Sequence, residues 1–149
     1  MPAKKREDKR FGKLPPLYDF VLNPYQDVRF STCPGCRGKT RQRKLPLLIH
    51  IEPIQLLALN KTCRYCPTCD LLIAHQDEIE AVLAAFLGKR TAEVSEDDYF
   101  VLGTMERKAW REGIHQPRST EEMRDATHDF KDYREVQVSP GGWFPEELA

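Results

Sequence analysis

The form Cys-Pro-x-Cys occurs twice in the chain, as Cys33-Pro34-Gly35-Cys36 and Cys66-Pro67-Thr68-Cys69. No other feature constrains the fold as strongly. Two cysteines separated by two residues aim their sulfurs the same way from one tight turn, and backbone amides in the turn offset the charge of the thiolates. Two such turns supply four sulfurs, the complement of a tetrahedral metal site, so the fold must bring both to one point. The chain has five cysteines. Cys63, in Cys63-Arg64-Tyr65-Cys66, lacks the proline that preforms the turn. The internal match therefore selects Cys33, Cys36, Cys66 and Cys69 as ligands and leaves Cys63 as the odd thiol.

Composition bears on where such thiols act. The chain has 149 residues, 40% of them hydrophobic and 31% charged. That length is one ordinary domain or two very small ones, and the composition reads as globular. No apolar run approaches the roughly 20 residues of a membrane span, and Glu7 and Asp8 in the basic N-terminus argue against an organelle presequence. The expected location is the cytoplasm, with no membrane partner. In that reducing compartment closely spaced cysteines are metal ligands or redox groups more often than disulfides. The formal net charge of zero conceals a polarity, since residues 1–45 hold 12 Lys/Arg against four Asp/Glu and the remainder reverses the balance. A basic segment beside a metal site is the footprint of phosphate contact, or else a solvated tail whose charge answers the acidic remainder.

Along the chain, residues 1–16 read as a flexible basic arm closed by Pro15-Pro16. The stretch 17–33, aromatic and β-branched around an Asn23-Pro24 turn, predicts a lead-in and a short strand running into Cys33. Residues 39–51 pass from polar to apolar, with Pro46 predicting an edge strand or a bulge rather than a central strand. Residues 54–62 fit either a strand or the start of a helical turn. In 76–90, Ile79, Val82, Leu83, Phe86 and Leu87 recur at helical spacing, with acidic residues ahead and Gly88 as the stop. That is an amphipathic helix whose stripe is expected to pack as core over the sheet. Further on, an acidic loop leads to a strand at 99–104, Ser119 and Glu122 are spaced as a capping box for a helix over 120–130, and 134–138 alternates as a strand before the Pro140-Gly141-Gly142 turn. Trp143-Phe144 reads as an aromatic plug.

The two knuckles resemble the zinc-ribbon class over about residues 29–72. The resemblance implies one structural Zn2+ and a small antiparallel sheet, with uses ranging from nucleic-acid binding to protein–protein joints. The expected architecture is therefore α+β: a zinc-ribbon-type sheet and its helix over 17–90, then a small strand-helix-strand extension over 91–149 packed on it. The 29 residues between Cys36 and Cys66 are also similar to rubredoxin spacing, in which four sulfurs hold a redox-active iron. Against it, Arg37 and Asp70 follow the knuckles where rubredoxins usually have glycine, and the insert is basic and aliphatic.

Catalytic motifs are missing. His50-Ile51-Glu52-Pro53 resembles the first motif of the zinc deaminases, but only 13 residues separate Glu52 from Cys66, and Tyr65 stands where that family has proline. His75 is close enough to Cys69 to replace a thiolate, yet four cysteines need no fifth ligand; His115 and His128 have no partner at nucleophile spacing. Neither a glycine-rich phosphate loop nor a serine elbow occurs. The expectation is a non-catalytic protein that binds nucleic acid through Arg37, Lys39, Arg41 and Arg43, which share one face if the segment is a strand, with Tyr65 stacking on a base. The alternative is a zinc-stapled adaptor whose partner is another protein.

Overall fold

Residues 10–52, 55–116 and 118–135 are described by a computed structural model of the chain. Among them are seven strands: β1 (Asp19–Asn23), β2 (Arg41–Ile51), β3 (Gln55–Cys66), β4 (Leu71–His75), β5 (Tyr99–Met105), β6 (Thr127–Asp129) and β7 (Asp132–Arg134). Three α-helices accompany them: α1 (Gln76–Leu87), α2 (Arg107–His115) and α3 (Thr120–Asp125). The fold is α+β. None of the described helices is long and apolar enough to cross a membrane. The chain forms two units, each assembled from discontinuous segments. One takes the N-terminal stretch to Leu17, Leu45–Lys61 and Tyr99–Phe130; the other takes Tyr18–Lys44, Thr62–Asp98 and the chain from Lys131 onward.

In the first unit the strands run in the order β6-β5-β2-β3. The C-terminal half of β2 is buried almost without interruption, with Leu47, Leu48 and Ile49 at 0% exposure. A continuous apolar run of this kind marks a strand covered on both faces. β2 has strand neighbours on both sides, so the edge position expected from Pro46 does not hold. The reason is register. Its antiparallel ladder with β5 starts only at Leu47, opposite Thr104, so the N–H that proline lacks is not needed there, and the expected bulge lies at Leu48/Ile49. Residues 55–62 are strand, not helix.

β5 pairs with β6 as well as β2, and two helices, not one, separate β5 from β6. Sequence reading missed α2, a nine-residue helix with no fully buried residue, although Ala109, Trp110, Gly113 and Ile114 fall at helical spacing on one face of it. Helix α3 starts where the capping box put it: Ser119 Oγ accepts from the Glu122 N–H at 3.1 Å, and the Glu122 carboxylate accepts from the Ser119 N–H at 2.9 Å. It ends at Asp125 rather than near residue 130, since fully buried Thr127 enters β6 and donates its hydroxyl back to the Met123 carbonyl at 2.5 Å. Gly103 is obligatory in β5, where a Cβ would lie 2.0 Å from the His128 carbonyl oxygen. Met105, Trp110, Ile114 and Arg118 line an apolar cleft of about 230 Å³ in this unit.

The second unit holds the cysteines. Its strand order is β3-β4-β1-β7, with β1 parallel to both β4 and β7 and β3 antiparallel to β4. Strand β1 lies before the Asn23-Pro24 turn, in the expected lead-in, and the stretch expected as a strand running into Cys33 is loop with one isolated bridge at Thr32. Asn23 is fully buried; its amide donates to the Val28 carbonyl at 2.8 Å, its oxygen accepts from the Tyr25 N–H at 2.9 Å, and His75 lies 3.3 Å away. These bonds turn the chain toward the first knuckle. Helix α1 ends as expected at Gly88, which takes the left-handed conformation at φ 68°. Its apolar stripe divides: Ile79 and Leu83 are fully buried, whereas Val82 and Phe86 are 39% and 48% exposed. Strand β7 covers 132–134; the rest of the expected strand at 134–138 and the Trp143-Phe144 plug lie outside the described residues, apart from Arg134 and Glu135.

Candidate metal centre

Each knuckle closes a pair of extended segments. Around the first, Thr32 bridges antiparallel to Lys39, the Cys33 N–H donates to the Gly38 carbonyl at 2.7 Å, and the Arg37 N–H donates to the Cys33 carbonyl at 2.9 Å. Around the second, Cys66 ends β3 opposite Leu71 of β4, and the intervening turn carries Cys69. The residue after each knuckle, Arg37 at φ 64° and Asp70 at φ 53°, adopts the left-handed conformation. Both knuckles thus have one backbone design. The absence of glycine there, which sets the chain apart from rubredoxins in sequence, leaves the backbone path as a glycine would make it.

The selected sulfurs converge. Those of Cys33, Cys36, Cys66 and Cys69 all lie within 4.8 Å of one another; Cys33 to Cys69 is 3.9 Å and Cys36 to Cys66 is 3.5 Å. A tetrahedron with metal–sulfur bonds of about 2.3 Å has edges of about 3.8 Å. Backbone amides add the expected support: Gly35 donates to Cys33 Sγ at 3.3 Å, Gly38 to Cys36 Sγ at 3.3 Å and Cys69 to Cys66 Sγ at 3.5 Å. Gly38 leaves that sulfur room, since a Cβ there would sit 3.2 Å from it. Distances, donor type and amide support all fit a four-coordinate, thiophilic metal ion. Cys63 is buried in β3 and is not a member of the cluster.

Packing sets the floor of the centre. Cys33 and Cys66 sit in a small core with Val21, Phe30, Leu71 and Ile73, flanked by Tyr25 and Val28, while Cys36 is exposed. Without a cation the four sulfurs cannot all be charged. The Gly38 amide and the neighbouring Cys66 thiol bring Cys36 down to about 7, whereas burial and the Cys36 thiol push Cys69 up to about 12. Burial also raises Cys33. A bound cation removes this conflict by stabilising every thiolate at once.

The basic residues are arranged differently from the expectation. β2 begins only at Arg41, so Arg41 and Arg43 are on a strand while Lys39 lies in the bridge and Arg37 in the turn. The four therefore do not form one strand face. All are exposed. Arg43 lies over the Tyr65 ring at 4.7 Å and the Tyr18 ring at 5.9 Å, and the two tyrosines meet edge to face at 5.6 Å. The Tyr65 hydroxyl donates to Asp70 at 3.0 Å. Tyr65 is thus engaged within the unit by Arg43 and Asp70.

Asp70 organises this corner. Its carboxylate accepts from the Tyr18 N–H at 3.2 Å and pairs with Lys131 at 2.9 Å. Burial works against its charge, but the Lys131 ammonium and the Tyr65 hydroxyl outweigh it and hold the carboxyl below its usual range. Arg64 makes a second tie, donating from Nε and a terminal nitrogen to the hydroxyl and carbonyl of Thr40, each at 3.1 Å. Sequence reading missed Tyr18, Arg64, Asp70 and Lys131, whose spacing announces nothing. His50 is part of β2, with Glu52 at 3.9 Å, and His75 binds Asn23; neither joins the sulfur cluster. In comparison with known proteins, the chain has no significant match to a protein-family model, a curated protein or a solved structure.

Proposed function

We propose that the four cysteines hold one structural zinc ion in a zinc-ribbon-like centre, and that the chain is a non-catalytic nucleic-acid-binding module. Cys33, Cys36, Cys66 and Cys69 would bind the ion; its chemistry there is to neutralise four thiolates and tie the two knuckles together. The observation that carries the binding half of the proposal is the set of exposed cations Arg37, Lys39 and Arg41 beside the first knuckle. Among the described residues none of them is paired with a carboxylate, in contrast to Arg29, Lys131 and Arg134 of the same unit. Cations left unpaired next to a rigid turn are available to phosphate oxygens. Arg43, held on Tyr65, serves as support.

The test joins metal analysis with a binding titration. The purified chain carries about one zinc, is colourless, and loses folded structure on strong chelation, because the binding free energy of such sites is largely folding free energy. Stoichiometric iron with visible absorbance would replace zinc by a rubredoxin-like electron carrier. Binding to mixed RNA and DNA weakens as salt rises, with a logarithmic slope of about −0.7 per phosphate contacted on single strands and about −0.9 on duplex DNA. Replacing Arg37 and Arg41 with Ala weakens it without releasing metal and makes the slope shallower by about one per lost contact. A metal-loaded chain indifferent to both nucleic acids at low salt, yet binding a protein through the same surface, would favour the adaptor reading.

A further inference from the structure

Cys36 is set apart from the other sulfurs of its cluster by exposure. Cys33 and Cys66 are 0% and 1% exposed and Cys69 is half-buried, whereas Cys36 is open to solvent. Glycine stands two residues after it, and a Cβ on Gly38 would lie 3.2 Å from its sulfur, so no side chain at that position screens the approach. The short sulfur contacts run between the knuckles: Cys36 to Cys66 at 3.5 Å, and Cys33 to Cys69 at 3.9 Å. An accessible sulfur beside a second one that can resolve it is the arrangement of an oxidisable thiol pair. Cys63 is buried in β3 outside the cluster, so it offers neither entry point nor partner.

Given the metal centre proposed above, we infer that Cys36 is the site at which a hydroperoxide oxidises it, and that Cys36 then closes onto Cys66 as a disulfide between the two knuckles. With hydrogen peroxide, the Cys36 sulfur attacks one oxygen. An S–O bond forms, the O–O bond breaks, and the departing hydroxide takes a proton to become water. The sulfur loses two electrons and the peroxide gains them. The Cys66 sulfur then attacks the Cys36 sulfur, an S–S bond forms, and a second hydroxide leaves and becomes water. Two thiolates, one peroxide and two protons thus give one disulfide and two waters. Cys33 and Cys69 remain, which is half of a four-sulfur site, so the metal ion is released. A dithiol reductant returns the two electrons and restores the site.

The experiment treats the full metal-loaded chain with limiting hydrogen peroxide. Released zinc is followed with a colorimetric chelator, and the remaining thiols are alkylated and mapped by tandem mass spectrometry. Zinc release and the Cys36–Cys66 disulfide rise together, and a dithiol followed by fresh zinc reverses both. With dimedone present to trap sulfenic acid, the adduct on Cys36 exceeds that on every other cysteine by about tenfold or more at early times. Cys63→Ser, which leaves the cluster complete, behaves as wild type. Zinc content before the oxidant tests the metal centre separately. A chain purified without zinc would refute that reading alone, because the disulfide is mapped in the metal-free chain as well. A disulfide within one knuckle, a disulfide to Cys63, a first adduct on another cysteine, or thiols that all survive excess peroxide overturns the proposal. So does zinc release with no Cys36–Cys66 disulfide.

Discussion

Replacing the residue after each knuckle with glycine has opposite expected effects, although both residues share one backbone conformation. Arg37 at φ 64° and Asp70 at φ 53° sit where a side chain costs energy and glycine does not. The left-handed conformation costs an ordinary residue about 1–2 kcal/mol, and the extra freedom of glycine in the unfolded chain cancels about 0.5–1 kcal/mol of the relief. Arg37 is exposed, so Arg37→Gly stabilises by about 0.5–1 kcal/mol. Asp70 tolerates the conformation better, so less is gained there. Its carboxylate also accepts from the Tyr65 hydroxyl at 3.0 Å and the Tyr18 N–H at 3.2 Å, and pairs with Lys131 at 2.9 Å. Two hydrogen bonds at about 1 kcal/mol each and a partly exposed ion pair at about 0.5 kcal/mol outweigh the relief, so Asp70→Gly destabilises by about 2 kcal/mol. The assay is urea unfolding of the metal-loaded chain at a fixed excess of metal, with equal m-values required for the comparison. Equal shifts of the same sign in the two variants would refute the reasoning, because backbone strain would then be the only difference that matters.

Three further outcomes test other parts of the structure. Cys63→Ser keeps the full metal content, measured by atomic absorption after gel filtration, whereas Cys66→Ser loses most of it, since only Cys66 belongs to the sulfur cluster. Equal loss from both would mean that the ligand set is wrong. Gly103→Ala lowers stability by about 3 kcal/mol in the same urea assay, because its methyl group would meet the His128 carbonyl oxygen at 2.0 Å; a loss below about 1 kcal/mol would show that β5 and β6 separate easily. Ser119→Ala lowers stability by about 1 kcal/mol, reflecting the lost 3.1 Å bond to the Glu122 N–H, and an unchanged midpoint would mean that α3 does not depend on its cap.

The sequence by itself determined the features that depend on residues close together in the chain. Cys-x-x-Cys spacing and the shared proline single out Cys33, Cys36, Cys66 and Cys69, because a tight turn aims sulfurs whatever surrounds it, and these are the four that converge. The end of α1 at Gly88 and the start of α3 after Ser119 were legible for the same reason, as capping is satisfied within one turn. The tertiary structure decided whatever depends on partners far away in the chain. Pro46 is tolerated inside the sheet because the β5 ladder begins one residue later, which no property of residues 41–51 states. Helix α3 stops short because Thr127 finds its place beside Met105 of β5, and the cleft that α2 lines with Ala109, Trp110, Gly113 and Ile114 forms only on folding. Half of the α1 stripe remains outside because the unit covers only the side bearing Ile79 and Leu83. Arg43 and Tyr65, 22 residues apart, lie together only after β2 and β3 become neighbours, so two residues that the sequence offers separately form one stacked pair. Periodicity reports which side chains could be buried; the partner strand, found only on folding, decides which of them are.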